Sequence, residues 1–330
     1  MTCLNNIVIN GNAAQTKFRF NGSFESKRAE FLDKYKSPSG KAQYKRCVNS
    51  TLRYAGGKSL AVGIIVSLLP DGIEKLVSPF FGGGSVEIAC AKELNIPVLG
   101  YDVFDLLVNF WNVQINNPKE LANRLKKFEP TKEEYKRVKD IMKQHWDRKK
   151  IITDRCDLAA IYYFNHNTSY GPHFLGSPSG VYLQKERYEK MVEKVKNFDV
   201  KNIEIKCNSF EYIIEQHKND FLYLDPPYYL DGDSRTFVGM YPHRNFPIHH
   251  NGFKHKLLSE LLRQHEGGFV LSYNDCTAVR EMYKGFRMLT PSWQYTFSQG
   301  DTRIGENRLK DNNGSYIKKS HELIICNVGR

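Results

Sequence analysis

A four-residue turn is the most chemically informative part of this chain. Asp225-Pro226-Pro227-Tyr228 follows the apolar run 221–224, which has the composition of a buried strand. Two consecutive prolines fix φ and contribute no N–H, so the turn is rigid and its carbonyl groups point outward. Those carbonyls and the Asp225 carboxylate only accept hydrogen bonds, while the Tyr228 ring offers a surface on which a nucleobase can stack. The pattern favours a site that grips an amino group, and the alternative is a plain β-turn with a buried tyrosine.

An exocyclic amine such as N6 of adenine is a weak nucleophile because its lone pair is delocalised into the ring. Acceptors on both N–H bonds favour a pyramidal nitrogen, whose lone pair can then attack a methyl group in line. Positioning and preorganised electrostatics supply most of the rate in such a transfer, with no need for a metal or a covalent intermediate. A base inside a duplex cannot be reached, so we expect it to be flipped out of the stack.

A second candidate site is the glycine loop that includes Phe80, Gly82, Gly84 and Ser85. It lies between a short apolar strand and a helix, and the next strand ends at Asp102. Glycines let the backbone turn sharply and approach a ligand, and an acidic residue about twenty positions on can accept both ribose hydroxyls. The pattern favours a nucleoside cofactor, although by itself it is also compatible with a tight loop followed by a capping aspartate.

These motifs require strands and helices that alternate, as in a doubly wound α/β sheet. Strands are predicted near residues 75–77, 97–101, 203–205, 221–224, 269–272 and 322–326. Between them, residues 106–199 lose the strand pattern and read as helices with charged faces. We therefore expect a basic N-terminal extension (1–50), a catalytic domain in two parts (51–105 and 200–330) and a mostly helical insert (106–199).

Charge is concentrated in two blocks of the chain, whose formal net charge is +12. Residues 1–50 carry nine Lys/Arg against three Asp/Glu, and residues 106–200 carry eighteen against twelve. Such surfaces suit a polyanion, although solvated lysine-rich helices give the same count. The longest apolar run, Leu60–Leu69, is too short to span a bilayer, and the scattered cysteines include no CxxC pair. We expect a cytoplasmic protein with no membrane partner and no metal site.

The motifs together resemble the Dam-type (D12 class, α-group) DNA N6-adenine methyltransferases. They occur in that family's order over roughly residues 50–330: Arg53-Tyr54-Ala55-Gly56-Gly57-Lys58, Ser78-Pro79-Phe80-Phe81-Gly82-Gly83-Gly84-Ser85, Tyr101-Asp102, Asp225-Pro226-Pro227-Tyr228, Ser272-Tyr273-Asn274-Asp275 and Lys318–Asn327. The resemblance implies a Rossmann-like S-adenosylmethionine-dependent methyltransferase fold with a helical target-recognition insert.

The same resemblance implies roles for individual residues. The cofactor would be S-adenosylmethionine, with Tyr54 and Lys58 beside its methionine part, the loop of Phe80, Gly82, Gly84 and Ser85 around it, and Asp102 on its ribose. Asn208, Ser209 and Phe210 match a segment that contacts the cofactor adenine, with Phe210 as the stacking ring. The target base would be held by Asp225, Pro226, Pro227 and Tyr228, and Asp225 would also border the cofactor.

Double-stranded DNA is the implied partner, and the insert is the region that reads it in the family. The family's Asn-Arg…Phe-Asn-Gly segment differs here, since this chain has Asn165-His166-Asn167-Thr168-Ser169-Tyr170-Gly171, and the recognised sequence therefore cannot be transferred. Polar and aromatic side chains of this segment are candidate base contacts, namely Asn165, Asn167, Ser169 and Tyr170. Arg235 and Arg244 belong to a loop, Gly232–Phe253, that we expect to close over the target base or touch phosphates.

Several alternatives stay open on the sequence alone. The same chemistry could act on adenine in RNA or on N4 of cytosine in DNA, or the chain could be an inactive DNA-binding homologue. Asp225 in place of serine or threonine, and the order of the motifs, disfavour the cytosine enzymes. A cognate restriction endonuclease could share the same DNA site, and both a monomer and a dimer are compatible with the chain.

Overall fold

A central seven-stranded sheet organises the chain in a computed structural model that describes residues 23–37, 43–230, 252–291 and 322–328. The strands lie in the order β3-β2-β1-β4-β5-β7-β6. Their bounds are β1 Leu76–Ser78, β2 Val98–Asp102, β3 Ile203–Cys207, β4 Leu222–Leu224, β5 Phe269–Asn274, β6 Arg287–Leu289 and β7 Glu322–Asn327. Strands β1 to β5 run parallel, and β7 is inserted antiparallel between β5 and β6.

The central strands are apolar because helices cover both faces of the sheet. Every residue of β1 and β4 is buried, as is typical of parallel strands with two covered faces. The helices are α1 Phe24–Tyr35, α2 Val62–Ser67, α3 Ser85–Glu93, α4 Asp105–Asn116, α5 Pro118–Leu125, α6 Lys132–Trp146, α7 Arg155–Asn167, α8 Lys185–Lys196, α9 Phe210–Gln216, α10 His255–Gln264 and α11 Thr277–Met282. Among the described residues, no helix is both long and apolar enough to cross a membrane.

The order in which successive strands are added to the sheet changes side at one point, between the parallel strands β1 and β4. From β1 the chain proceeds outward to β2 and β3, and it then returns to β4 on the other side of β1. In open α/β sheets such a switch point leaves a crevice beyond the carboxyl ends of the two strands, where ligands bind. The glycine loop follows β1 and the Asp225 turn follows β4, so both candidate motifs lie at this crevice.

Every strand predicted from the sequence is present, within a few residues at each end. The connection between β2 and β3 is helical throughout its regular elements, with α4 to α8 in succession. Helix α4 was not predicted, because its apolar residues surround much of its circumference and hide the helical period. The three-residue strand β6 was also missed, since so short a segment carries no readable alternation.

Candidate active site

The glycine loop is packed tightly against the residues around it. The Phe81 N–H donates to the Tyr101 carbonyl at 2.8 Å, which fastens the loop to β2. Gly82 and Gly84 have φ of +48° and +64°, in the left-handed region that favours glycine. A Cβ added to Gly83 would lie 2.6 Å from the Cβ of Tyr54. The loop therefore needs glycine both for its conformation and for its close approach to Tyr54.

Asp102 ends β2 with its carboxylate turned to the glycine loop. Its Oδ2 accepts the Gly82 N–H and its Oδ1 accepts the Phe104 N–H, both at 3.0 Å. Burial raises the pKa of Asp102, and these two backbone donors oppose that rise. Each carboxylate oxygen retains a further lone pair, so the group can still accept hydrogen bonds from a diol.

An aromatic pair lies beside this carboxylate. The Asn208 N–H donates to the Asp102 carbonyl at 3.1 Å, which brings the start of α9 to the end of β2. Phe210 is buried, and its ring centroid lies 5.5 Å from that of Phe80. The Ser209 hydroxyl donates to Glu211, so it is already used within the protein. The rings provide an apolar edge to the crevice, next to the acidic group.

The Asp225 turn contains a buried ion pair that the sequence reasoning did not foresee. Lys58 Nζ lies 2.5 Å from Asp225 Oδ1, and the lysine side chain is only 3% exposed. The same ammonium donates to the Gly56 carbonyl at 2.9 Å and lies 4.9 Å from the centre of the Tyr228 ring. Burial raises the pKa of Asp225, while Lys58 acts in the opposite direction. Lys58, expected only beside the cofactor, therefore contacts the residue expected to grip the substrate.

The remaining residues of the turn are fixed by the sheet. Pro226 is buried and Pro227 is half-buried. The Tyr228 hydroxyl donates to Glu322 Oε2 at 2.6 Å, and its ring lies 6.2 Å from the Tyr273 ring at an interplanar angle of 26°. A rigid turn with an ordered aromatic side chain thus stands at the carboxyl end of β4.

A second acidic group beneath the site was also missed. Glu87, in the first turn of α3, is 2% exposed, and its Oε1 accepts the Ser78 hydroxyl at 2.6 Å. Burial raises the pKa of Glu87 to about 8, and the nearby Asp225 carboxylate contributes to the rise. The signal in the sequence was a single glutamate within the otherwise apolar run 86–91 of this helix.

Three of the predicted DNA-contacting residues point into the protein. Asn165, Asn167 and Ser169 are fully buried. Asn165 accepts the Leu175 N–H at 2.9 Å, and the Ser169 hydroxyl donates to the His166 carbonyl at 2.7 Å. In this conformation the three side chains are turned away from the surface, and their contact with DNA stays a prediction.

The buried segment instead holds the chain that precedes Tyr54. Asn167 accepts the Arg53 N–H at 3.1 Å and donates to the Thr51 carbonyl at 3.1 Å. The Arg53 guanidinium donates to the carbonyls of Asn167 and Ser169 at 2.7 and 2.9 Å and stacks 3.3 Å from the centre of the Tyr182 ring. Polar residues that resemble a recognition loop therefore join the helical insert to the catalytic part.

Tyr170 differs from its neighbours because its side chain is 77% exposed. It follows α7 in a short hairpin-like turn, where its N–H donates to the Ser177 carbonyl at 2.7 Å. An exposed aromatic ring on a fixed turn remains a candidate for contact with DNA. Arg235 and Arg244, the other predicted DNA contacts, lie outside the described residues.

The sheet order and the two motifs at the switch point define a class of enzyme, the Rossmann-like methyltransferases that act on an amino group. The family model of the D12 class N6 adenine-specific DNA methyltransferases matches residues 54–297. The chain belongs to this family.

Individual relatives agree with this assignment. The chain is 23% identical over 290 residues to the Type II methyltransferase M1.LlaDCHI of Lactococcus lactis subsp. cremoris, a match that covers 84% of this chain and 94% of the relative. It is 25% identical over 297 residues to the modification methylase StsI of Streptococcus sanguinis, covering 86% of this chain and 43% of the relative. The Type II methyltransferase M.FokI of Planomicrobium okeanokoites is 24% identical over 200 residues, covering 58% of this chain and 30% of the relative.

Proposed function

We propose that this adenine-specific methyltransferase transfers a methyl group from S-adenosylmethionine to N6 of an adenine flipped out of double-stranded DNA at a particular sequence. The observation that carries the proposal is the position of Asp225 at the crevice that also holds the glycine loop and Asp102. The turn offers only hydrogen-bond acceptors, which suits an amine substrate. The Asp102 carboxylate at the same switch point can accept both hydroxyls of a ribose, which suits a nucleoside cofactor.

The residues present fit S-adenosylmethionine. Asp102 retains acceptor capacity for the ribose hydroxyls, and Phe80 and Phe210 offer rings for the adenine. Tyr54, packed on the backbone of the glycine loop, and Lys58 would border the methionine part. When bound, the cofactor supplies a methyl group on a positively charged sulfur.

The turn itself would orient the target amine. The Asp225 carboxylate and the Pro226 carbonyl would accept the two N6 hydrogens, and Tyr228 would stack on the purine. A carboxylate whose pKa is raised by burial is a stronger hydrogen-bond acceptor than an exposed one, and it is better suited to take up the proton that the methylated amine releases. Lys58 holds this carboxylate in place, since a buried charge needs a partner.

We further propose that residues 106–199 serve target recognition and that DNA approaches the insert at Tyr170. The cationic excess of residues 106–200 would contact phosphates, which orient the duplex without reading its sequence. Arg235 and Arg244 remain proposed contacts near the flipped base. Because two relatives are named Type II methyltransferases and a third a modification methylase, we propose that the chain works in the cytoplasm beside a restriction endonuclease with the same site.

Asp225→Ala tests the proposal directly. Duplex DNA, RNA and single-stranded DNA would each be incubated with cofactor carrying a labelled methyl group, and the nucleosides then separated. We expect N6-methyladenine from duplex DNA with the unaltered protein, and at least a thousandfold less with Asp225→Ala at similar cofactor affinity. The exposed carboxylate variant Asp199→Asn serves as the matched control. Label on cytosine, label on RNA alone, or full activity of Asp225→Ala would contradict the proposal.

A further inference from the structure

The catalytic turn is held by two residues that lie opposite each other on the neighbouring strands β5 and β7. Asn274 is the last residue of β5 and Glu322 is the first residue of β7, and the two form a directly opposed antiparallel pair. They are 48 positions apart in the chain, yet both reach the residues that follow the two prolines. The pair therefore connects the turn after β4 with two strands that supply none of the residues expected to touch substrate.

Asn274 fixes the backbone on the carboxyl side of the turn. Its Oδ1 accepts the Tyr229 N–H at 2.9 Å, and its Nδ2 donates to the Tyr229 carbonyl at 2.7 Å. One side chain thus satisfies both polar groups of a single residue, as a neighbouring strand would. This pairing restrains the backbone immediately after Tyr228, where no ladder of the sheet does so.

Glu322 fixes the side chain of the neighbouring tyrosine. It is 3% exposed, and its Oε2 accepts the Tyr228 hydroxyl at 2.6 Å. A hydrogen bond to a carboxylate in a dry environment is short and strong, so it restricts the direction of the phenol. The Tyr273 ring, next to Asn274, lies nearly parallel to that of Tyr228 and limits the remaining rotation.

We propose that Asn274 and Glu322 are positioning residues that hold the Tyr228 ring in the orientation in which it stacks on the flipped base. The inference rests on the proposed function of the turn. The hydroxyl of Tyr228 donates to Glu322, so the ring, and not the hydroxyl, would be the part of this residue that meets substrate. A displacement of about 1 Å in a substrate-positioning group can cost about a hundredfold in rate.

The test compares Glu322→Gln, Glu322→Ala, Tyr228→Phe and the double variant Tyr228→Phe/Glu322→Ala. Asn327→Asp, at the other end of β7, is the matched control. The readouts are kcat and KM on duplex DNA, cofactor affinity by calorimetry, and the fluorescence of 2-aminopurine at the target position. We expect Glu322→Ala to lower kcat by 10- to 100-fold and to change the bound 2-aminopurine signal, with cofactor affinity within twofold. Glu322→Gln, which keeps an acceptor, should recover most of the activity.

The double variant separates positioning from folding stability. If Glu322 acts through the hydroxyl, Tyr228→Phe/Glu322→Ala should be no less active than Tyr228→Phe alone, because the hydroxyl on which Glu322 acts is already absent. Losses that multiply, or Glu322→Ala with unchanged kcat and fluorescence, would overturn the inference while the active unaltered protein upholds the proposed function. An unaltered protein that transfers no methyl group would overturn both.

Discussion

Glu87→Gln should change how the stability of this protein depends on pH. Glu87 is 2% exposed and accepts the Ser78 hydroxyl, and burial raises its pKa from an ordinary 4.5 to about 8. The folded state therefore holds a proton at pH values where the unfolded chain has released it. The stabilising contribution of this proton is complete below about pH 4.5, and it is lost as pH rises toward 8.

The size of the effect follows from the two pKa values. One pKa unit corresponds to about 1.4 kcal/mol, so raising the pH from 5 to 8 should cost about 3 to 4 kcal/mol of unfolding free energy through Glu87. Glutamine has nearly the same shape, keeps an acceptor for Ser78 and does not titrate. Between pH 5 and pH 8, the unfolding free energy of the variant should consequently rise by that amount relative to the unfolding free energy of the unaltered protein.

Denaturant unfolding at pH 5, 6, 7 and 8, followed by fluorescence, measures this difference. Glu215→Gln on α9 is the control, since that glutamate is exposed. Its replacement should leave the curve of unfolding free energy against pH parallel to that of the unaltered protein. Parallel curves for Glu87→Gln as well would show that Glu87 is ionised in the folded protein. The reasoning from burial would then be refuted.

Two further predictions concern the cofactor and DNA. Gly83→Ala should weaken cofactor affinity at least tenfold in calorimetry, because its Cβ would lie 2.6 Å from that of Tyr54. A Cβ added to Gly180 has nothing within 4 Å, so Gly180→Ala is the control and should have no effect. Equal affinities in the two variants and the unaltered protein would contradict the packing argument. Tyr170→Ala should raise KM for duplex DNA about tenfold with cofactor affinity unchanged. Tyr212, exposed to 66%, is the matched control, and equal KM values for both alanine variants would remove Tyr170 from the interface.

The sheet and the two motifs were predictable because their signals are local. An apolar run bounded by glycine or proline indicates a strand, and the proline pair at Pro226 constrains its own backbone wherever it lies. Both motifs follow a strand directly, and because parallel strands end at one edge of a sheet, the fold brings them together there. The 3.6-residue period identified α6 and α8, whose charged faces are exposed, but it could not identify the largely buried α4.

The parts that the sequence did not reveal depend on contacts between distant residues. Nothing near Lys58 in the sequence indicates a partner 167 positions away, and the same holds for Tyr228 and Glu322. The polarity of Asn165 and Asn167 suggested exposure. In the fold their amides satisfy backbone groups of neighbouring segments, which buried turns require. Composition reports that a polar group needs partners, and it does not say whether they are water, DNA or protein.

The segment Arg53–Lys58 shows how these long-range contacts combine in the site. Arg53 is held by the buried end of α7 in the insert, Tyr54 packs on the glycine loop, and Lys58 pairs with Asp225 in the turn after β4. Six consecutive residues thus touch the parts expected to bind DNA, the cofactor and the target base. Two of these three contacts are hydrogen-bonded or ionic, so the short backbone between Arg53 and Lys58 ties the helical insert to the Asp225 turn.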